Sequence, residues 1–202
     1  MTGIVLAGGR SQRMGVTKAG LMLGGETFLE RAVSLLTGIC NRVMISAAFD
    51  EPVAVPADCA VIVDDEPGQG PLGGIASCLA ASGEEWHLAL ACDLPLVRPE
   101  LLRLLAEDAA TGAPADAVVP HAQGRLQPLL AAYSHRCLHP AREALAGGER
   151  AVAAMLDQVK TRVLEEDALR GADPDLASFT NVNTWEQYRA LRRRWPEGSA
   201  CG

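Results

Sequence analysis

Hydrophobic residues along the chain fall into two alternating patterns, short continuous runs and longer stretches with helical spacing. The short runs have the length of strands in a sheet. They lie at 4–7, 42–47, 59–63, 86–91, 116–120, 127–133 and 161–164. The segment at 21–25 is extended and ends in two glycines, which predicts a turn. The run at 59–63 is apolar throughout, as in a strand that is buried in a parallel sheet.

The stretches between these runs repeat their apolar residues at helical spacing, which predicts helices. The predicted helices cover 28–36, 75–81, 99–110, 135–145, 150–158 and 185–194. Thr27 and Thr184 each precede one of them and predict N-caps, because a threonine side chain accepts a hydrogen bond from the first turn. Pro99 suits the first turn of its helix.

Strands that alternate with helices at this spacing form βαβ units. The expected fold class is therefore α/β, a three-layer Rossmann-like fold with a mainly parallel central sheet flanked by helices. The sequence shows no internal repeat and no linker, so residues 1–195 are expected to form a single domain. Residues 196–202 are small and polar, and we expect a disordered tail.

Composition narrows the classes of function. The chain has 202 residues, 49% of them hydrophobic, enough for one substantial core. Its net charge of −7 disfavours nucleic acid and anionic membranes as main partners. The run at 4–7 is too short for a signal peptide, and no run has the length of a membrane helix. Six scattered cysteines favour reduced thiols in a cytoplasmic protein over zinc or disulfides. His135 and His139 lie four apart, but no acidic motif accompanies them as a metal site would require.

A glycine-rich, cationic loop follows the first strand. The first 25 residues contain no Asp or Glu, although the chain has 25 acids. Glycine backbones can turn their N–H groups around an anion, and nearby cations would neutralise it. The residues concerned are Gly8, Gly9, Gly15, Arg10, Arg13 and Lys18. The alternatives are a tight turn, solvated arginines and a lysine that caps a neighbouring helix. The long gap before the next helix favours a functional, phosphate-binding loop.

Carboxylates follow two later strands, at the edge where ligands bind an open parallel sheet. Asp64 follows the run at 59–63 and Asp93 follows the run at 86–91. Together with the loop after Leu6 they should face one crevice. Asp93 is the expected magnesium ligand, because Mg²⁺ prefers carboxylate and phosphate oxygens. Alternatively, Asp93 caps the segment that follows it.

Four motifs together resemble those of nucleotidyltransferases, and specifically of molybdenum cofactor guanylyltransferases. They are Leu-Ala-Gly-Gly-x-Ser-x-Arg-Met-Gly-x-x-Lys at 6–18, Gly-Pro-Leu-Gly-Gly at 70–74, Cys-Asp-Leu-Pro at 92–95 and Thr-Asn-Val-Asn-Thr at 180–184. Gly-Gly-Glu-Arg at 147–150 is similar to a further family segment. Two positions depart from the family pattern: Thr17 stands where Asp is usual, and Trp185 where Pro is frequent.

The resemblance implies an enzyme that transfers GMP from GTP to the terminal phosphate of molybdopterin, with Mg²⁺ as cofactor. It implies catalytic roles for Arg13, Lys18 and Asp93, with magnesium on Asp93. Asn181 and Asn183 would bind the acceptor. The implied nucleotide contacts are Leu6, Ala7, Gly8, Gly9, Lys18, Asp64, Gly73 and Asp93, with Asp65 as an alternative to Asp64. Transient contacts with cofactor-synthesis or recipient proteins are also expected.

The residues by themselves are also compatible with other functions. The same loop and carboxylates would serve a cytidylyltransferase for the same pterin, or a transferase for a sugar phosphate or another phosphorylated metabolite. A non-catalytic nucleotide-binding or cofactor-delivery protein is an alternative of another class. Physical reasoning does not choose between GTP and CTP, because recognition of a base by backbone groups leaves no side-chain pattern.

Overall fold

The computed structural model describes residues 1–8, 17–47, 55–56, 58–63, 68–111 and 114–195. Ten strands lie within these ranges. In chain order they are β1 Thr2–Leu6, β2 Met22–Leu23, β3 Glu26–Thr27, β4 Arg42–Ala47, β5 Ala60–Val63, β6 Trp86–Ala91, β7 Ala117–Ala122, β8 Arg125–Leu126, β9 Leu130–Ser134 and β10 Thr161–Leu164. The predicted turn at 21–25 is the connection of the β2–β3 hairpin. The predicted tail at 196–202 lies outside the described residues.

The central sheet has the strand order β10-β7-β9-β6-β1-β4-β5, and β8 pairs with β7. Strand β9 runs antiparallel to both β6 and β7. The other neighbouring pairs along this order are parallel. The predicted mainly parallel sheet is therefore confirmed. Because β1, β4 and β6 are parallel neighbours, their carboxyl ends meet at one edge of the sheet.

Seven α-helices accompany the strands in the described ranges. They are α1 Phe28–Thr37, α2 Gly70–Ala81, α3 Pro99–Ala110, α4 Leu138–Ala146, α5 Val152–Leu156, α6 Glu166–Leu169 and α7 Trp185–Arg194. Helix α1 packs on β1 and β4, α2 on β4 and β5, and α3 on β7 and β9. The predicted flanking helices are thus present, and the α/β fold class is confirmed.

Some boundaries differ from the prediction. Helix α2 begins at Gly70 instead of residue 75, because glycine and proline are both tolerated in a first turn. The predicted helix at 135–145 is divided into a 3-10 turn, His135–Cys137, and α4. Strand β9 begins at Leu130, three residues after the predicted start at 127. The short elements β8 and α6 were not predicted.

The strand predicted from the apolar run at 59–63 is not buried on both sides. Strand β5 ends the strand order, pairs with β4, and leaves the Val61 side chain 44% exposed. The expectation of burial was wrong because a purely apolar run does not distinguish a central strand from an edge strand. The edge position is decided by the order of the strands, which local sequence does not encode.

Both predicted threonine caps are present, and both are capping boxes. The Thr27 hydroxyl accepts from the Glu30 backbone N–H, and the Glu30 carboxylate accepts from the Thr27 backbone N–H. Thr184 and Gln187 make the equivalent pair at the start of α7. Such reciprocal bonds satisfy N–H groups that a helix end otherwise leaves unpaired. The two boxes fix where α1 and α7 begin.

Two hydrophobic clusters hold these elements together. The larger one fills the space between the central sheet and its helices. A smaller cluster joins the β2–β3 hairpin, the start of α1 and helix α7. Its buried members are Leu21, Leu23, Phe28, Val182, Tyr188 and Leu191. The smaller cluster therefore packs the segment just after Lys18 against the segment that contains Asn181 and Asn183. None of the helices in the described ranges is long and apolar enough to span a membrane.

Candidate active site

The end of β1 lies between the ends of its two parallel neighbours. The Leu6 carbonyl accepts from the Cys92 backbone N–H at 3.2 Å, and the Ala7 N–H donates to the Ser46 carbonyl at 2.9 Å. Leu6 is buried, whereas Gly8 is exposed. The predicted nucleotide contacts Leu6, Ala7 and Gly8 thus lie at the carboxyl edge of the sheet. Gly9 and Arg13, like Arg10 and Gly15, lie outside the described residues.

Lys18 and Asp93 form an ion pair at this edge. Lys18 opens a 3-10 turn, Lys18–Gly20, and its Nζ lies 2.8 Å from Oδ2 of Asp93. Their side chains are 18% and 16% exposed. The two residues are 75 positions apart, and the parallel pairing of β1 with β6 brings them together. Thr17 does not cap the turn with its side chain.

Asn183 joins the same cluster from the far end of the chain. Lys18 Nζ also donates to Oδ1 of Asn183, at 2.5 Å. The backbone between the two asparagines is attached to the loop after β6, because the Val182 N–H donates to the Asp93 carbonyl at 2.9 Å. Asn181 does not share the lysine, and its Oδ1 is buried without a hydrogen-bond partner. The structure therefore brings Lys18, Asp93 and Asn183 together.

The segment that leads into Asn181 is fixed by a buried carboxylate. Asp173 is fully buried, and its Oδ2 accepts from the Ser178 N–H at 2.7 Å. Its Oδ1 lies 3.3 Å from Nε of Arg98. Arg98 is the N-cap of α3, and its own N–H donates to the Ser178 hydroxyl at 3.0 Å. These bonds hold the segment before Asn181 against the loop that contains Asp93.

Asp93 suits a hard cation. Its Oδ1 is buried and has no hydrogen-bond partner in the described part of the chain, while Oδ2 accepts from Lys18. A buried carboxylate oxygen without a partner is costly, so a cation there would compensate it. The described residues contain no group of three or more His, Cys, Asp or Glu that could hold a metal. A metal on Asp93 could complete its ligands with phosphate oxygens and water, as Mg²⁺ sites often do.

Cys92, next to Asp93, is not a nucleophile in this site. Burial and, to a lesser extent, the nearby Asp93 charge raise the pKa of its thiol to about 12, while Lys18 opposes this rise. A thiol with such a pKa stays protonated at neutral pH and packs as a small apolar side chain. We therefore do not expect Cys92 to form a covalent intermediate.

The Gly-Pro-Leu-Gly-Gly segment forms the first turn of α2. Gly70 has a φ of 66°, a left-handed conformation that favours glycine. Gly73 is buried, and a Cβ added to it would lie 2.4 Å from the Cβ of Gln69. Gly73 is thus covered by the side chain of Gln69, the N-cap of the helix. A nucleotide that contacts Gly73 would also meet Gln69. Asp64, the predicted contact after the run at 59–63, and its alternative Asp65 lie outside the described residues.

Two arginines position the loops of the site, and sequence reasoning did not identify either role. Nη1 of Arg150 donates to the Gly68 carbonyl, which fixes the turn before α2. Arg31 on α1 donates from Nε to the Pro95 carbonyl at 2.6 Å, which fixes the loop after Asp93. The segment 147–150 is similar to a family segment, but this similarity does not predict the contact of Arg150 with Gly68. The sequence around Arg31 carries no signal of its contact.

The fold is that of enzymes that transfer nucleotides. The family model described as the MobA-like NTP transferase domain matches residues 3–163, more than half of the chain, so the chain belongs to this family of nucleotidyltransferases. The chain is 37% identical over 199 residues to a probable molybdenum cofactor guanylyltransferase of Chloroflexus aggregans, covering 95% of this chain and 93% of that protein. It is 34% identical over 192 residues to the molybdenum cofactor guanylyltransferase of Desulfosudis oleivorans, covering 93% and 92%.

A solved structure supports the same family assignment. The crystal structure of molybdopterin-guanine dinucleotide biosynthesis protein A from Archaeoglobus fulgidus superposes with a TM-score of 0.82 at 26% identity. The match covers 96% of this chain and 98% of that one. The predicted resemblance to molybdenum cofactor guanylyltransferases is thus confirmed over nearly the whole chain.

Proposed function

We propose that this enzyme transfers GMP from GTP to the terminal phosphate of molybdopterin, with or without bound molybdenum. An oxygen of the acceptor phosphate attacks the α-phosphorus of GTP. A new P–O–P linkage forms, the bond from the α-phosphorus to the bridging oxygen breaks, and pyrophosphate leaves. The products are the guanine dinucleotide form of the cofactor and pyrophosphate. The names of the relatives support this donor and this acceptor.

The observation that carries the proposal is the meeting of Lys18, Asp93 and Asn183. Lys18 and Asp93 belong to motifs that resemble nucleotide-binding elements of the family, and Asn183 to one associated with the pterin. The contacts at 2.8 and 2.5 Å therefore join the expected donor site to the expected acceptor site. Two substrates bound on either side of Lys18 would be adjacent, as direct transfer between phosphates requires.

Catalysis is proposed to rest on alignment and charge neutralisation. The acceptor phosphate is itself a nucleophile, so the enzyme needs no acyl or thiol intermediate. Holding two reactants in the correct geometry can lower a barrier by about 7–11 kcal/mol in favourable cases. Lys18, with Arg13 from the loop, would neutralise the charge that develops on the departing pyrophosphate.

Magnesium is the proposed cofactor. Asp93 would hold it, with phosphate oxygens and water completing its ligands, and the bound ion would act as a Lewis acid on the α-phosphate. The unpartnered Oδ1 of Asp93 supports this assignment. Asp93 also pairs with Lys18, so the same carboxylate would organise both the magnesium ion and the lysine ammonium.

Product analysis with several nucleotides tests the proposal. Purified enzyme, Mg²⁺ and molybdopterin would be incubated separately with GTP, CTP, ATP and UTP, and the products would be separated by chromatography and identified by mass. We expect the guanine dinucleotide and pyrophosphate in equal amounts. A cytosine dinucleotide would identify the cytidylyltransferase alternative. Absence of product with each nucleotide and a correctly prepared acceptor would contradict the proposed transfer and favour a binding or delivery role.

A further inference from the structure

We propose that Asn183 has a second role beyond the acceptor site. Its amide oxygen positions Lys18 until nucleotide phosphates take over this hydrogen bond and release the amide. The inference rests on the proposed function and adds a link between its two subsites. In this view the Lys18–Asn183 hydrogen bond competes with the nucleotide for the same ammonium group. Nucleotide binding then exposes the Asn183 amide oxygen to the acceptor.

Lys18 has two hydrogen-bond partners among the described residues. An ammonium group has three N–H donors. Two of the three N–H groups of the Lys18 ammonium donate to Oδ2 of Asp93 and Oδ1 of Asn183. The lysine side chain is only 18% exposed, so these partners and the surrounding chain enclose most of it. A phosphate that binds Lys18 must therefore share the ammonium with these two partners or replace one of them.

The relative strength of the three partners decides which one is replaced. Hydrogen bonds from an ammonium to a phosphate or a carboxylate join opposite charges and are roughly twice as strong as neutral ones. The Asn183 amide is the uncharged partner of Lys18. A triphosphate that engages the ammonium through two of its oxygens should consequently take the third N–H and the N–H that points at Asn183, whereas Asp93 keeps its attraction for the lysine.

The backbone around Asn183 stays in place during such an exchange. The Asn183 N–H donates to Oε1 of Gln187 at 2.7 Å, and Val182 is bound to the Asp93 carbonyl and buried in the smaller cluster. The exchange would thus change the partner of one amide oxygen while its position is held. That oxygen could then accept an N–H of the acceptor's heterocycle. Because linkage is reciprocal, nucleotide binding would strengthen acceptor binding.

Nucleotide affinity without the acceptor tests the link. Isothermal titration would measure the Kd of Mg·nucleotide for the wild type, Asn183→Ala and Asn183→Leu. Both substitutions remove the amide oxygen, and leucine nearly preserves the side-chain volume. We expect each to tighten nucleotide binding about fivefold, the factor that corresponds to the net free energy of one hydrogen bond. Ala190→Ser, an exposed substitution on the adjoining helix α7, should leave the Kd unchanged.

A double-mutant cycle with Lys18→Met separates this link from a general effect on the site. In the Lys18→Met background, the Asn183 substitutions should no longer change nucleotide affinity. An unchanged or weakened affinity in the single variants, or a tightening that persists without the lysine, would overturn the proposal. The cycle uses whichever nucleotide supports turnover in the product analysis. Failure of the guanine assignment is therefore distinguishable from failure of the link.

Discussion

The backbone N–H of Val182 donates to the carbonyl oxygen of Asp93 at 2.9 Å. This bond attaches the Asn-Val-Asn segment to the residue expected to bind magnesium. The bond therefore ties the segment to the loop after β6. The position of Asn183 is fixed a second time from the other side, by Gln187 in the first turn of α7. The proposed acceptor element, residues 181–183, is thus held between a strand end and a helix cap.

Gln187 should consequently control acceptor binding without touching the nucleotide. Its Oε1 accepts from the N–H groups of Asn183 and Thr184 at 2.7 and 3.0 Å. We expect Gln187→Leu to raise the KM for molybdopterin about fivefold through the loss of these bonds, with the KM for GTP unchanged. Steady-state kinetics with each substrate varied in turn would measure both constants.

The conservative variant Gln187→Glu serves as the control for that prediction. A glutamate offers the same acceptor oxygens and suits the N-terminus of a helix. It should restore most of the acceptor affinity. Equal rises in both KM values for Gln187→Leu would contradict a role confined to the acceptor element.

Asp93 is expected to be indispensable for turnover and dispensable for folding. Asp93→Asn keeps the shape of the side chain but removes the charge that would hold a metal and orient Lys18. We expect kcat to fall at least about 10³-fold, as for the loss of a major electrostatic contribution to the transition state. Circular dichroism should show an unchanged fold.

The exposed acid Asp157, at the end of α5, provides the matched substitution. Asp157→Asn changes the net charge by the same amount and should keep wild-type turnover. If Asp93→Asn retained comparable turnover, the metal assignment would be wrong. The comparison separates a local role of the carboxylate from an effect of total charge.

The elements that could be predicted from the sequence are those fixed by local interactions. Strand β6 and helix α3 have the predicted bounds, 86–91 and 99–110. The caps at Thr27 and Thr184 could be predicted because a threonine N-cap acts on the turn directly after it. The meeting of loops at one sheet edge was also predictable, since it follows from parallel pairing.

Contacts between distant segments could not be predicted. Lys18 and Asn183 are 165 residues apart, and no local pattern indicates that one lysine bridges the two motifs. The Arg31 contact with Pro95 likewise depends on how α1 packs. The antiparallel direction of β9 and the edge position of β5 also arise from the order of strands. In each case the deciding interaction is made across the assembled fold.

Gly73 offers a test in which helix propensity and packing predict opposite outcomes. Replacing a glycine by alanine inside a helix usually stabilises it by about 1 kcal/mol. At Gly73 the new Cβ would lie 2.4 Å from the Cβ of Gln69, which is too short for contact. We expect Gly73→Ala to destabilise the protein by about 1–3 kcal/mol, the range for overpacked sites, and to raise the KM for GTP.

Gly83 is the control for this substitution. A Cβ added there would meet nothing within 4 Å. Gly83→Ala should therefore leave turnover unchanged and stabilise the protein slightly, by about 0.4–1 kcal/mol. Urea denaturation of both variants would measure the difference. Stabilisation by Gly73→Ala would show that Gln69 moves aside readily and does not cover the glycine.

His87 should make the stability of the protein depend on pH. It lies fully buried on β6, and burial lowers the pKa of its imidazole to about 4. The neighbouring His135 also lowers this pKa, whereas the Tyr133 backbone and Glu84 oppose the shift. In the unfolded chain the pKa is about 6.5. Between these values the unfolded state binds a proton that the folded state excludes, so the free energy of unfolding falls as the pH decreases.

The contribution of His87 is fully present above about pH 7 and is lost progressively towards pH 4, amounting to about 3 kcal/mol in total. Urea denaturation at several pH values would measure this slope. His87→Leu should flatten the slope between pH 6.5 and 4, even if it changes stability at neutral pH. His139→Gln, at a side chain that is 81% exposed, should leave the slope unchanged. An equal slope in the wild type and His87→Leu would show that other groups cause the acid sensitivity.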